Sequence, residues 1–170
     1  MVVNNIDKVK HKVYTRQVAG VPVCTERKYM KRAIHLTLLR EGVDMPCVVN
    51  VLLTDDIGIR RYNLEHRGKD AATDVLSFPM QEFGCPGWSG IVDVDIDLVS
   101  GFVPLGDMVI SVETIQRQAD EFGHSILQEL IHMVIHSTLH LLGYDHYDDE
   151  SEKEMRDIEA ELSRERALKI

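Results

Sequence analysis

The chain has 170 residues, a hydrophobic fraction of 44% and a formal net charge of −9 at pH 7. That length suits one domain around one apolar core, expected over residues 1–170. The acidic balance argues against a general nucleic-acid binder. No apolar run approaches the roughly 18 residues that cross a membrane, so no membrane partner is expected.

The charge is uneven. Residues 1–40 hold nine Lys or Arg against two acids, whereas residues 41–144 hold five against sixteen. The amino-terminal part reads either as a basic face or as an ordinary solvated helix surface. The opening stretch Met1 to Asp7 has no charged region leading into an apolar one, so it is not read as a signal peptide. Cys24, Cys47 and Cys85 are odd in number and form no CxxC pair. They read as isolated thiols in a reducing cytoplasm.

Taken in order, residues 1–6 suggest a short strand, and Lys8 to Pro22 a polar loop or an extra hairpin. Thr25 can cap a helix whose apolar positions include Tyr29, Ala33, Ile34 and Leu38, with Gly42 closing it. The β-branched run from Cys47 to Leu53 is a buried strand. A helix starts at Asp55 or Asp56 and ends near Arg67-Gly68. A strand follows over Asp74 to Pro79, stopped by the proline. Residues 81–104 form a long loop with Trp88 and the acids Asp93, Asp95 and Asp97, which read as solvating groups before they read as cation ligands. Gly106 to Val112 is the next strand, and a helix then runs to Phe122 with Gly123 beyond its end. Ser125 and Gln128 have the spacing of a capping box that opens a long, mostly buried helix. A charged last helix over 151–166 turns Met155, Ile158 and Leu162 inward. Strands alternate with helices early and helices accumulate late. The expected architecture is therefore an α/β (α+β) layer: a mixed four-stranded sheet, about five helices, and the histidine helix on one face.

That helix carries the chemistry. His136 and His140 are four residues apart, hence one above the other on a helix face. Gly143 can end the helix in the left-handed conformation, which lets His146 fold back. His132 lies one turn too early to share the same ion. Three neutral imidazoles leave one tetrahedral position open, the arrangement of a catalytic zinc, here expected at the carboxyl end of the helix with one ion per chain. The spacing also matches the metalloprotease pattern H-E-x-x-H-x-x-G-x-x-H, but Ser137 stands where that pattern has its glutamate base. Serine cannot take a proton from water at neutral pH, so different chemistry is expected.

The run Glu65-His66-Arg67-Gly68-Lys69-Asp70 sits between a helix and a strand. By itself it reads first as an exposed turn. If it does more, Arg67 offers a planar fork of donors to a phosphate and Lys69 a second charge.

Arg67-Gly68-Lys69-Asp70, then Thr73 to Pro79, then Leu105-Gly106-Asp107, then His136, His140-Leu141-Leu142-Gly143-Tyr144-Asp145-His146 together resemble the bacterial YbeY family, over about residues 45–155. The resemblance implies a single-strand-specific, zinc-dependent endoribonuclease of ribosomal RNA maturation. It implies His136, His140 and His146 as ligands, Arg67 as a functional arginine, and a mixed four-stranded sheet. It also implies action on the 3′ end of the small-subunit RNA and in ribosome quality control. The implied partners are single-stranded ribosomal RNA, the small subunit with its proteins, and an assembly GTPase. The family commonly has Gly where this chain has Ser137, and the first 25 residues match it poorly.

In such a mechanism Arg67 stabilises charge at the phosphate, and Asp145 orients a histidine or accepts a proton. Two rival readings are a metalloprotease-like hydrolase and a non-catalytic, zinc-stabilised ribosome-assembly factor.

Overall fold

The computed structural model describes residues 9–21, 27–165 and 168. Four strands form one sheet in the order β1-β2-β4-β3, with β1 Lys12–Gln17, β2 Cys47–Thr54, β3 Val75–Pro79 and β4 Val103–Ser111. β1, β2 and β4 run parallel, and β3 pairs antiparallel on the outer side of β4. Among the described residues five helices accompany them: α1 Arg27–Arg40, α2 Asp56–Arg67, α3 Val112–Phe122, α4 Ile126–Leu141 and α5 Asp149–Ser163.

The period-two alternation of β2 decides which side is core. Val49, Val51 and Leu53 are buried against the helices, whereas Asn50 between them is exposed. The main core lies there, with Met30, Ile34 and Leu38 of α1, Val134, Ile135 and Leu139 of α4, and Met155, Ile158 and Leu162 of α5. Truncating a residue such as Leu139, which is 0% exposed, costs about 2–5 kcal/mol. The other side of the sheet is covered only in part. There α2 buries a small cluster of Ile59, Leu76 and Val109.

The helix ends follow local chemistry. Asp55 accepts from the Gly58 N–H and caps α2, and Gly68 ends it in the left-handed region. Ser125 and Gln128 make both bonds of the capping box that opens α4.

Two expectations shift. The polar stretch after Lys8 contains β1, paired in parallel with β2, rather than a loop or a hairpin: Val13 points into the core while Tyr14 and Arg16 face outward, as an edge strand permits. The strand expected at 1–6 and the Thr25 cap lie outside the described residues. The segment after β3 is ordered by a bridge between Phe83 and Ile91 and a 3₁₀ turn at Trp88–Gly90, and β4 begins at Val103, earlier than expected. Gly106 sits at a register shift in β4 with φ 149°, where a Cβ would lie 2.4 Å from the Phe78 carbonyl oxygen. The position therefore excludes a side chain.

Candidate metal centre

The last two turns of α4 place His136 and His140 on its one face that is not fully buried. The chain then reverses. Gly143 takes φ 84°, its N–H donates to the His140 carbonyl, and the Tyr144 N–H donates to the Leu139 carbonyl. A Cβ on Gly143 would lie 2.6 Å from the Phe83 Cβ, so the turn and the segment after β3 both require glycine here. This reversal carries His146 back to the other two. One ligand atom from each of His136, His140 and His146 lies within 4.8 Å of the others.

Proton positions follow from the partners. His136 Nδ1 is 2.7 Å from Glu159 Oε1, and His140 Nδ1 is 2.8 Å from the Tyr144 carbonyl oxygen. A carboxylate and a carbonyl only accept, so both Nδ1 atoms carry the proton. The two Nε2 lone pairs then face each other at 3.1 Å. Two lone pairs at that distance repel unless a cation lies between them. Two nitrogens on one tetrahedral zinc, each at about 2.0–2.1 Å, stand about 3.3 Å apart. The histidines therefore fit a metal ion. Burial, and then the neighbouring His136, lower the pKa of His140 against the opposing pull of the Tyr144 carbonyl, so this imidazole is neutral and free to ligate.

Glu159 was not foreseen. It is buried on α5 among Met155, Ile158 and Leu162, and its carboxylate orients His136. The legible signal was an acid on an otherwise apolar helix face. Ser137 is not one of the ligands: it is 0% exposed and its hydroxyl lies 2.7 Å from that of Ser77 on β3.

A hollow of about 500 Å³ opens beside the triad, bounded by Arg67, Ser77, Pro79, Asp145 and Tyr147. Arg67 makes no ion pair or side-chain hydrogen bond with any described residue, so its guanidinium is available to an anion. Lys69 does not line this hollow. Its neighbour Asp70 instead takes a two-pronged bond from Arg60, at 2.6 and 2.7 Å. Asp145 accepts from the His146 N–H at 2.8 Å. Partial burial opposes its ionisation. That bond, the Tyr147 hydroxyl and the nearby imidazoles outweigh burial and hold the carboxyl below its usual range. Buried Cys47, its thiol pushed up to about 12 mainly by burial, and exposed Cys85 are both free and outside the triad; Cys24 lies outside the described residues.

The arrangement can bind a cation, an anion beside it, and a polar chain that reaches both. A family model described as Endoribonuclease YbeY matches residues 13–166. An Endoribonuclease YbeY of Clostridium kluyveri is 40% identical over 139 residues, spanning 78% of this chain and 84% of that protein. One of Heliobacterium modesticaldum is 44% identical over 120 residues, spanning 71% and 70%. Among solved structures, the solution structure of TM1509 from Thermotoga maritima superposes with a TM-score of 0.59 at 25% identity, covering 91% of this chain and 87% of its own.

Proposed function

The chain belongs to the endoribonuclease YbeY family, and from that premise we propose that it is a zinc-dependent endoribonuclease cutting single-stranded RNA beside His136, His140 and His146. The observation that carries this reading is the pair of Nε2 lone pairs converging at 3.1 Å next to a hollow lined by Arg67, which has no ion-pair partner among the described residues. When bound, the ion supplies Lewis acidity toward a phosphate oxygen and toward water.

The chain's own residues do the rest. Glu159 and the Tyr144 carbonyl hold His136 and His140 in the tautomer that ligates through Nε2. Arg67 neutralises the charge that grows on the phosphoryl oxygens as the bond breaks. Asp145 holds the backbone of His146 in place through the bond to its N–H. Unpaired RNA suits the site because a flexible strand bends one phosphate into the hollow more readily than a rigid duplex does. The product's end names the nucleophile: a 5′-phosphate means water, and a 2′,3′-cyclic phosphate means the adjacent 2′-hydroxyl.

The biological setting proposed is maturation of the 3′ end of the small-subunit ribosomal RNA and ribosome quality control in the cytoplasm, with small-subunit proteins and an assembly GTPase as partners. No helix among the described residues is long and apolar enough to cross a membrane. The metalloprotease alternative needs a carboxylate at position 137, and that position is buried against Ser77.

The test is labelled ribosomal RNA incubated with pure protein, with and without chelator. Cleavage that stops with chelator and returns with zinc is expected. His140→Ala is expected to purify without its metal and to leave RNA intact. Full metal content in that variant, by elemental analysis, sinks the ligand assignment. RNA binding without any cleavage by zinc-loaded wild type leaves the assembly-factor reading in its place.

A further inference from the structure

The partly covered side of the sheet holds a second hollow, of about 610 Å³. Its floor is a single register row across all four strands: Tyr14 opposite Asn50, Asn50 opposite Asp107, and Asp107 opposite Phe78. Asn50 Nδ2 donates to Asp107 Oδ1 at 2.7 Å, which leaves one N–H and the carbonyl of Asn50, and the second oxygen of Asp107, without a partner in the floor. One wall is aromatic. The Tyr62 and His66 rings of α2 are stacked at 6.2 Å and 9°, and His66 meets Phe78 edge-on at 5.0 Å. On β1 the outward positions alternate Lys12, Tyr14, Arg16. Tyr14 is 53% exposed, and Arg16 makes no ion pair with any described residue.

We infer that this face binds unpaired nucleobases of the RNA strand whose phosphate is cut at the metal centre, an inference that rests on the function proposed above. The chemistry selects among occupants. An apolar partner would bury the Asn50–Asp107 pair without satisfying it, at a cost in free energy. A phosphate on the floor would be repelled by the Asp107 carboxylate. A base fits both parts: its flat face stacks on Tyr14, His66 or Phe78, and its amino edge, N4 of cytosine or N6 of adenine, donates to Asp107. The Arg16 guanidinium at the rim takes the backbone phosphate.

Continuity with the metal centre comes from two pairs of neighbouring residues. On β3, Ser77 and Pro79 line the metal hollow while Phe78 lines this one. At the end of α2, Arg67 faces the metal hollow and His66 this one. A strand seated at the triad therefore has its next nucleotides beside the aromatic wall.

The test uses a fluorescent, cleavage-resistant RNA of about twelve adenosines and cytidines, long enough for a single-strand groove. Anisotropy gives its Kd for wild type, Tyr14→Ala and Asp107→Ala, neither of which lines the metal hollow. Each variant is expected to weaken binding about tenfold, the scale of one lost base stack for Tyr14→Ala and of one lost hydrogen bond to a carboxylate for Asp107→Ala. For the cleavable version, KM is expected to rise by the same factor with kcat unchanged. A dinucleotide, whose single phosphodiester occupies only the metal hollow, is expected to be cut by both variants at the wild-type rate. An abasic strand of equal length binding as tightly as the native one would overturn the proposal. So would an unchanged Kd in both variants while wild type still cleaves RNA, a result that leaves the proposed function standing. Wild-type protein that neither binds nor cleaves RNA overturns both.

Discussion

The two hollows flanking β3 are built from adjacent residues and have opposite chemistry. On one side Ser77 and Pro79 face imidazoles and a lone guanidinium; on the other Phe78 meets stacked rings and an amide–carboxylate pair. The difference is a consequence of strand geometry. Successive side chains point to opposite faces, so an edge strand that no helix covers completely serves two surfaces with neighbouring residues. The first surface is suited to a reacting phosphate and the second to its bases. Rate and affinity should therefore separate by mutation.

The largest separation is expected from Arg67→Ala. It should lower kcat by ~10²–10³, the cost of a lost transition-state donor, and leave Kd for long RNA, zinc content and Tm almost unchanged. Wild-type turnover by this variant would return Arg67 to an ordinary turn residue.

Glu159→Gln comes next. The amide keeps the shape but can present its N–H to His136 Nδ1, which favours the wrong tautomer. Zinc affinity is expected to fall about 10–100-fold by chelator competition, without any change in base binding at the far groove. Unaltered affinity would reduce Glu159 to a packing residue.

Ser137→Gly tests the contact behind the metal hollow, where α4 meets β3. It removes the hydroxyl bonded to Ser77 and adds glycine to a helix interior, and should cost about 1 kcal/mol in chemical denaturation. RNA cleavage should stay near wild type, because no proton passes through this residue. A large fall in kcat at full zinc occupancy would place Ser137 in the chemistry.

The smallest effect isolates titration of the fold from titration of either hollow. His11 accepts a hydrogen bond from the Cys47 N–H, and burial, with His35 nearby, lowers its pKa to about 4. Unfolded, it titrates near its ordinary value of about 6.5. Between those values the unfolded chain binds more protons, so stability falls as pH drops from about 6.5 to about 4 and His11 adds no further loss below that. His11→Asn keeps an acceptor that does not titrate. Its Tm should fall a few degrees less than that of wild type over this window. Parallel Tm curves would remove His11 from the pH dependence.

What the sequence determined by itself was local. The i, i+4 histidines, the glycine that reverses the chain after them, and the Ser125–Gln128 box each depend on residues within one or two turns, where spacing along the chain is spacing in space. Strands β2, β3 and β4 and the five helices followed from hydrophobic period. Edge strand β1 did not, because its outward Lys12, Tyr14 and Arg16 give it the composition of a loop and only pairing with β2 makes it a strand. Tertiary structure alone decided that Glu159, 23 residues from His136, holds that ligand, since the contact is made by α5 packing on α4. It alone paired Ser137 with Ser77 of β3. The row Tyr14, Asn50, Asp107, Phe78 draws one residue from each strand, and its alignment depends on register, which side-chain packing and the shift at Gly106 set together.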